Sequence, residues 1–388
     1  MNPSPTILRL LLLAGVLLLA TACGEEGGSC PGAPAPGANP DPNLAYPPVG
    51  TAPQTLAEWD LFKDASTQTP KDDVIAYEVS SPLFTDYALK HRFMYVPPGE
   101  GCEVGYDELD KWSFPKGTVL VKTFAYPVDE RDPGLGEQLI ETRLLVNEGR
   151  SGWRPLVYKW NAEGTAADLF LVGAIVSVSY ILEDGSPRDI PTYLIPAAED
   201  CKGCHDVSGS IDPIGPATPM LNVDNDYGLG PENQIDFMHE EFGLFDRTPD
   251  PVDARFVYPD PFDDGDPSSD TDKARAYLHS NCAHCHSELG PVDDKELFLD
   301  WESTDPDGDT DPLHWGVCKT PTSAGNADDC AGLDLDVVPG AADESLLACR
   351  VEITTDGLMP PIARSLQHTE GLELIEAWID DMNLPPCN

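Results

Sequence analysis

The chain has 388 residues, of which 68 are Asp or Glu and 23 are Lys or Arg, so its formal net charge is −45. This excess of acidic residues argues against nucleic-acid binding and against docking on anionic lipid through a basic face. Apolar residues make up 41% of the chain, which is enough to bury a core, and the length favours two or three domains.

The first 22 residues have the features of a signal peptide. Arg9 precedes an apolar run, residues 10–20, that is too short to span a bilayer. The run ends in Leu-Ala-Thr-Ala-Cys and resembles the lipobox of bacterial lipoproteins, which implies cleavage after residue 22 and a lipid on Cys23. The alternative is an ordinary secretory signal. We expect an extracytoplasmic, lipid-anchored protein, and Gly24 favours the outer membrane, facing the periplasm or the cell surface.

A linker and a β-rich domain follow. Residues 23–54 are rich in Gly, Pro and Ala, which form neither a stable helix nor a strand ladder. Residues 55–196 contain β-branched and aromatic runs closed by turn residues, which predict about seven strands in a β-sandwich-like domain. The clearest predicted strands are residues 118–126, 138–146, 153–160, 168–182 and 192–195.

Two C-x-x-C-H motifs come after the last predicted strand. Two thiols three residues apart can add to the two vinyl groups of one porphyrin, and the adjoining His then binds the iron as proximal ligand. The motifs therefore predict two covalently bound haem c groups. Their attachment residues are Cys201 and Cys204 with the ligand His205, and Cys282 and Cys285 with the ligand His286.

Other uses of paired C-x-x-C motifs fit less well. The two halves of a zinc ribbon usually lie about 15–20 residues apart, whereas Cys204 and Cys282 are 78 positions apart. A thioredoxin-like redox pair needs a βαβ context, which the flanking sequence does not predict.

The first predicted haem module, residues 197–265, has no single obvious sixth ligand for its iron. Met220 lies in a Pro-containing loop, whereas Met238 and His239 lie on a predicted helix, residues 231–242. All three are candidates, and an open coordination position is a further alternative.

The second predicted module, residues 266–388, has a clearer candidate. Met359 lies in the sequence Gly-Leu-Met-Pro-Pro, about 70 residues after His286, in a loop suited to presenting a thioether to iron. An ordinary core Met is the alternative. A helix is predicted before the motif, over residues 273–281, and an amphipathic helix over residues 370–382.

The C-terminal part resembles class I cytochrome c domains. The residues that carry the resemblance are Val338-Pro339-Gly340, Glu344 to Leu347, Arg350, Met359-Pro360-Pro361 and Trp378-Ile379. The wider chain resembles a poorly characterised family of extracytoplasmic di-haem c-type cytochromes, bacterial lipoproteins with a β-rich N-terminal region. The matching stretches are Ser81 to Tyr87, Trp112 to Thr118 and the two haem motifs. The resemblance implies a multidomain α+β fold, in which the β-sandwich-like domain precedes mostly α cytochrome c-like haem modules.

Six further cysteines lie outside the lipobox and the haem motifs. An even number in an oxidising compartment predicts up to three disulfides. The pairings that we expect are Cys318 with Cys330, Cys349 with Cys387, and Cys30 with Cys102. The acidic run at residues 305–311 resembles part of a calcium loop but lacks the spacing and terminal Glu of an EF-hand, and a solvated loop is the alternative.

The sequence therefore predicts a lipid-anchored di-haem cytochrome that transfers electrons outside the cytoplasm, with no catalytic residue. The alternatives are a haem enzyme, such as a di-haem peroxidase or the electron-accepting subunit of a dehydrogenase, and a binding protein built on the β-rich domain. In the enzyme alternative His239 and Glu240 supply acid–base groups. The expected partners are redox proteins such as a basic cytochrome or copper protein, and the membrane is contacted through the lipid alone.

Overall fold

The computed structural model describes residues 52–228, 230–306, 308–322 and 328–387. The predicted signal peptide, Cys23, Cys30 and the linker as far as residue 51 lie outside the described residues. Within the described ranges, no helix is both long and apolar enough to cross a membrane.

Strands dominate the first half of the chain, and the described helices are short. The strands are β1 Phe62–Asp64, β2 Thr69–Pro70, β3 Val74–Tyr77, β4 Leu89–Tyr95, β5 Val119–Pro127, β6 Glu137–Asn147, β7 Trp153–Trp160, β8 Ala167–Leu169, β9 Ala174–Ile181, β10 Pro187–Ile195, β11 Asp206–Val207, β12 Ser210–Ile211, β13 Asp224–Asp226 and β14 Pro231–Asn233. The helices are α1 Lys202–His205, α2 Thr218–Leu221, α3 Gln234–Phe242, α4 Asp270–Leu278, α5 Leu346–Glu352 and α6 Thr369–Asp380.

Strands β3 to β8 form one antiparallel sheet in which neighbours in the chain are neighbours in space. Because side chains alternate along a strand, the sheet has two different faces. On β5, Val119 and Val121 point to one face, where they pack with Trp59 and Tyr158 in an apolar cluster that the N-terminal segment covers. Leu120 points to the opposite face, on which the rest of the molecule packs.

In place of the predicted β-sandwich, the structure has a single sheet with a two-stranded ribbon packed on it. The predicted strand over residues 168–182 is divided into β8 and β9, and β9 pairs with β10 in a separate two-stranded ribbon. Val178 and Tyr193 of this ribbon pack against Phe124 and Tyr126, at one end of the face that carries the rest of the molecule.

The expectation of mostly α haem modules is wrong. In residues 197–265, α1 and α2 have four residues each, and only α3, with nine, exceeds two turns. Proline is frequent in this region and interrupts helices because it lacks the backbone donor. The apolar side chains of Leu221, Ile235 and Met238 join Leu120 of the sheet in one core. The region is therefore an outer layer on the sheet and has no helical core of its own.

Residues 266–388 contain the three remaining helices, joined by long loops and 3-10 turns. The helices predicted before the second motif and at the C-terminus are present as α4 and α6, which contact each other. Leu278, Trp315, Ile375 and Trp378 are at most 4% exposed and form the centre of this core.

Four of the expected cysteines form disulfides, but their pairings differ from those expected. Cys318 bonds Cys387 with an S–S distance of 2.08 Å, and Cys330 bonds Cys349 at 2.05 Å. The first bridge ties the extreme C-terminus to the loop that follows Trp315, and the second ties an acidic loop to α5. Cys102 is also disulfide-bonded, and its expected partner Cys30 lies outside the described residues.

A segment of the β-rich region packs against residues 266–388. The backbone N–H of Phe84 donates to Asn281 Oδ1 at 2.7 Å, next to the second motif, and the Ser81 hydroxyl donates to the Ala276 carbonyl at 3.1 Å. The Asp86 carboxylate accepts the backbone N–H groups of Ser365 and Leu366, each at 2.8 Å. The sheet and residues 266–388 are therefore packed as one unit.

Candidate functional site

The first motif is held by a one-turn helix and a small hairpin. Cys201 ends a 3-10 turn, α1 carries the rest of the motif, and β11 and β12 return the chain to His205. The backbone N–H of Asp212 donates to the His205 carbonyl at 2.8 Å, and His205 Nδ1 lies 2.9 Å from the Asp212 carbonyl oxygen. A carbonyl oxygen can only accept, so Nδ1 carries the proton and Nε2 keeps its lone pair.

The second motif reproduces this arrangement in a different local structure. His286 Nδ1 lies 3.2 Å from the Leu297 carbonyl oxygen, and the backbone N–H of Leu299 donates to the His286 carbonyl at 2.8 Å. Burial lowers the pKa of both His205 and His286 to about 4. Both imidazoles are therefore neutral at neutral pH, with Nε2 available as a metal ligand.

The second motif and Met359 border the same cavity, of about 320 Å³. Cys282, Cys285 and His286 lie on its wall together with Met359, whose backbone N–H donates to the Arg350 carbonyl at 2.8 Å. The apolar part of the wall consists of Val292, Leu297, Leu299, Leu346, Leu347 and Val351. The structure thus brings together every residue that the sequence predicts for the second haem.

The candidates for the sixth ligand of the first haem differ in position. Met220 borders a cavity of about 160 Å³ together with His205, and also a cavity of about 680 Å³ together with Cys204. Met238 is fully buried in the core beneath α3, and the His239 ring stacks on Phe245 with a centroid distance of 6.2 Å. Neither Met238 nor His239 lines any of these three cavities. Met220 is therefore the candidate that the geometry favours.

The two motifs touch each other. The Cys285 thiol lies 3.3 Å from the Gly203 carbonyl oxygen, and Gly203 also lines the cavity of the second motif. Ligand atoms of Cys204, His284 and Cys285 all lie within 4.8 Å of one another. Contact with Cys285 and His284 holds the pKa of Cys204 below its usual range. This proximity of residues 82 positions apart is not apparent in the sequence.

These residues fit covalent haem at both motifs. Each motif offers two unpaired thiols and a neutral imidazole with its Nδ1–H held by a carbonyl. The thiols and imidazole of the second motif border one cavity with Met359, whereas Cys204 and His205 of the first border two different cavities, both of which Met220 also borders. The same thiols have a competing use, because Cys204, His284 and Cys285 are soft donors that suit zinc or copper. Metal binding by these thiols and thioether formation with haem exclude each other at Cys204 and Cys285.

In the acidic run that resembles part of a calcium loop, one carboxylate has a structural role. The Asp311 side chain accepts the backbone N–H of Leu313 at 3.0 Å and so caps the 3-10 turn Pro312–Trp315. Asp307 lies outside the described residues. Among the described residues, the group of three metal-ligating side chains whose ligand atoms lie within 4.8 Å of one another consists of Cys204, His284 and Cys285, and it contains no carboxylate.

Sequence reasoning missed a row of basic side chains beside the first motif. Arg92, Lys122 and Arg143 line the cavity that His205 also lines. A detectable signal was Lys122 itself, a charged residue inside the predicted strand Thr-Val-Leu-Val-Lys-Thr-Phe. His279 and His284 were also passed over, and both line the 680 Å³ cavity.

Comparison of the chain with protein-family models, with curated proteins and with solved structures finds no match. The resemblance to di-haem cytochromes therefore depends on the motifs and on the arrangement of the residues described above.

Proposed function

We propose that the chain is a di-haem c-type cytochrome that transfers electrons outside the cytoplasm. The observation that carries the proposal is the cavity of the second motif, where two thiols, a neutral imidazole and the Met359 thioether meet. Histidine and methionine on opposite sides of a porphyrin are a known haem-iron ligand pair that raises the reduction potential. The haem iron supplies one-electron chemistry between its ferrous and ferric states.

Each residue has a specific role in this proposal. Cys201 and Cys204 hold one porphyrin and Cys282 and Cys285 the other by thioether bonds, which prevent loss of the group outside the cell. The carbonyl oxygens of Asp212 and Leu297 fix the orientation of the proximal imidazoles and raise their basicity. Met359 and Met220 would supply the thioether ligands of the two irons.

The contact between the motifs favours electron transfer over two independent sites. Cys204 and Cys285 are the second cysteines of their motifs, and their two sulfur atoms lie within 4.8 Å of each other. Haem groups held by these two cysteines would be attached at adjacent points of the chain, which would favour electron transfer between them. In our proposal the predicted lipid on Cys23 keeps this relay at the membrane surface, where redox proteins exchange electrons with it.

Haem content tests the proposal directly. A pyridine haemochrome assay on the protein from a host with cytochrome c maturation should give two haems c per chain. The double variant Cys282→Ala/Cys285→Ala should retain one. The matched control Cys330→Ala/Cys349→Ala removes two cysteines that form a disulfide and should retain two. A protein without haem, or with one zinc ion bound through Cys204 and Cys285, would contradict the proposal.

A haem enzyme is the second candidate, and the 680 Å³ cavity favours it. Tyr258, His279 and Glu302 line this cavity close to Cys204. His279 Nδ1 accepts the backbone N–H of Trp301 at 3.1 Å, so its Nε2 carries the proton and can donate it. A high-spin ferric EPR signal from one haem, together with a spectral change on adding peroxide, would favour the enzyme. Two low-spin haems whose spectra do not change on adding peroxide would favour the electron-transfer protein.

A further inference from the structure

Three basic residues form a row across the central sheet. Arg92 of β4 lies opposite Lys122 of β5, and Lys122 lies opposite Arg143 of β6. The three side chains therefore share one face of the sheet. Like charges on directly opposed residues destabilise a sheet, so this row requires an anionic partner.

Protein carboxylates supply only part of that partner. Arg92 pairs with Glu78 at 3.0 Å, and Arg143 makes two bonds to Glu141, which is fully buried. Lys122, in the middle of the row, has no ion pair or hydrogen bond among the described residues, and its ammonium lies 5.3 Å from the centroid of the Phe124 ring. Lys122 is thus the member of the row that no carboxylate in the described part of the chain pairs with.

The row faces the first haem motif. All three side chains line the cavity of about 160 Å³ that His205 and Met220 also line. Burial and the neighbouring cations hold the pKa of Lys122 well below its usual value, which an incoming carboxylate would reverse.

We propose that this row, and Lys122 above all, binds the propionate carboxylates of the first haem, so that the β-sheet itself forms one wall of the first haem site. The inference rests on the proposed function. It explains why residues 197–265 lack a helical core, because the sheet provides the wall that helices provide in an independent haem module. It also gives the β-rich region a role in cofactor binding.

Reduction potentials test the role of Lys122. Ferric haem carries one more positive charge than ferrous haem, so a nearby cation favours the ferrous state. In the full haem-loaded protein, Lys122→Gln should lower the midpoint potential of one haem. The equilibrium constant for reduction of that haem should fall by on the order of tenfold. Lys122→Arg should restore it. The matched control Lys63→Gln removes an exposed lysine of β1 and should change neither potential.

Met359→Ala identifies the affected haem. This variant should change the potential of the second haem, whereas Lys122→Gln should change the potential of the first. Two haems per chain with potentials unaffected by Lys122→Gln would overturn the inference while leaving the proposed function intact. The inference would also be overturned if the haem-loaded protein bound succinate in a Lys122-dependent way, since the row would then take a free dicarboxylate. If Lys122→Gln lowers the yield of protein, the same potentials are measured on Lys122→Met, which keeps the apolar part of the side chain. An unchanged potential in that variant would overturn the inference. A chain without haem would instead contradict the proposed function.

Discussion

Met220 and Met359 each border a cavity that the histidine of the corresponding motif also borders. Met238, only 18 positions after Met220, is fully buried in the same apolar cluster without reaching that cavity. A methionine that we propose as an iron ligand and one that only packs in the core therefore belong to the same apolar cluster. Substitution separates these roles, because removal of an iron ligand changes the spectrum whereas removal of packing changes the stability.

We expect Met359→Ala and Met220→Ala each to abolish about half of the sulfur-to-iron charge-transfer absorption at the red end of the oxidised spectrum. Each protein should retain two haems c, because the thioether bonds are intact. Met238→Leu, which conserves volume, should leave the absorption unchanged and cost under about 1.5 kcal/mol of stability. If Met220→Ala leaves the absorption at its full value, Met220 is not a ligand.

At the level of single residues, the sequence predicted chemistry better than position. The thiols and imidazoles of the motifs could be identified as candidate haem residues because attachment to one porphyrin sets such a spacing. The role of Lys122 was not, since it depends on strand register, which places Arg92 and Arg143 beside it. The choice of Met220 over Met238 likewise depends on which side of a core each side chain faces.

Among the elements, strands were easier to predict than helices and disulfides. The runs that became β5, β6 and β7 carry alternating or β-branched residues, a local property. The helix predicted over residues 231–242 is present as α3, but the expectation of a mostly α module in residues 197–265 was wrong, because the apolar residues of this region pack on the sheet, which is a long-range property. The expected pairing of Cys318 with Cys330 failed for the same reason, as α5 and the C-terminus approach those cysteines only in the folded chain.

Asp86 links the sheet region to the loop that follows Met359. Its side chain is 1% exposed and accepts the backbone N–H groups of Ser365 and Leu366 as well as the Ser365 hydroxyl. Asp86→Ala leaves these buried donors without a partner. We expect it to lower the free energy of unfolding by about 2–4 kcal/mol and to release Met359 from iron at lower denaturant concentration than the wild type.

Denaturant titrations followed by far-UV circular dichroism and by the methionine-to-iron absorption measure both effects. Asp184→Ala is the control, because Asp184 accepts similar bonds from Ser186 in an exposed turn and should cost under about 1 kcal/mol. Equal costs for the two variants would mean that Asp86 does not hold the loop in place.

For the whole molecule, the sheet and both motifs form one connected structure. The sheet lies against the first motif through the cavity shared by Lys122 and His205, and it reaches the second through the bond from Phe84 to Asn281. The motifs touch each other at Cys285 and Gly203. If the chain transfers electrons as proposed, its redox partners would approach a molecule that carries an excess of 45 acidic groups over basic ones in the full chain.

This charge should steer cationic partners towards the haems and repel anionic ones. Removal of residues 1–22 takes away Arg9 and would make the net charge −46. Raising the ionic strength from about 0.01 M to 0.15 M shortens the screening length from about 30 Å to about 8 Å. We expect the rate of electron transfer to a cationic cobalt complex to fall by about tenfold or more over this range, and the rate to an anionic iron cyanide complex to rise. Stopped-flow oxidation of the reduced protein measures both rates. If the two oxidants respond identically to salt, the charge serves solubility alone and steers no partner.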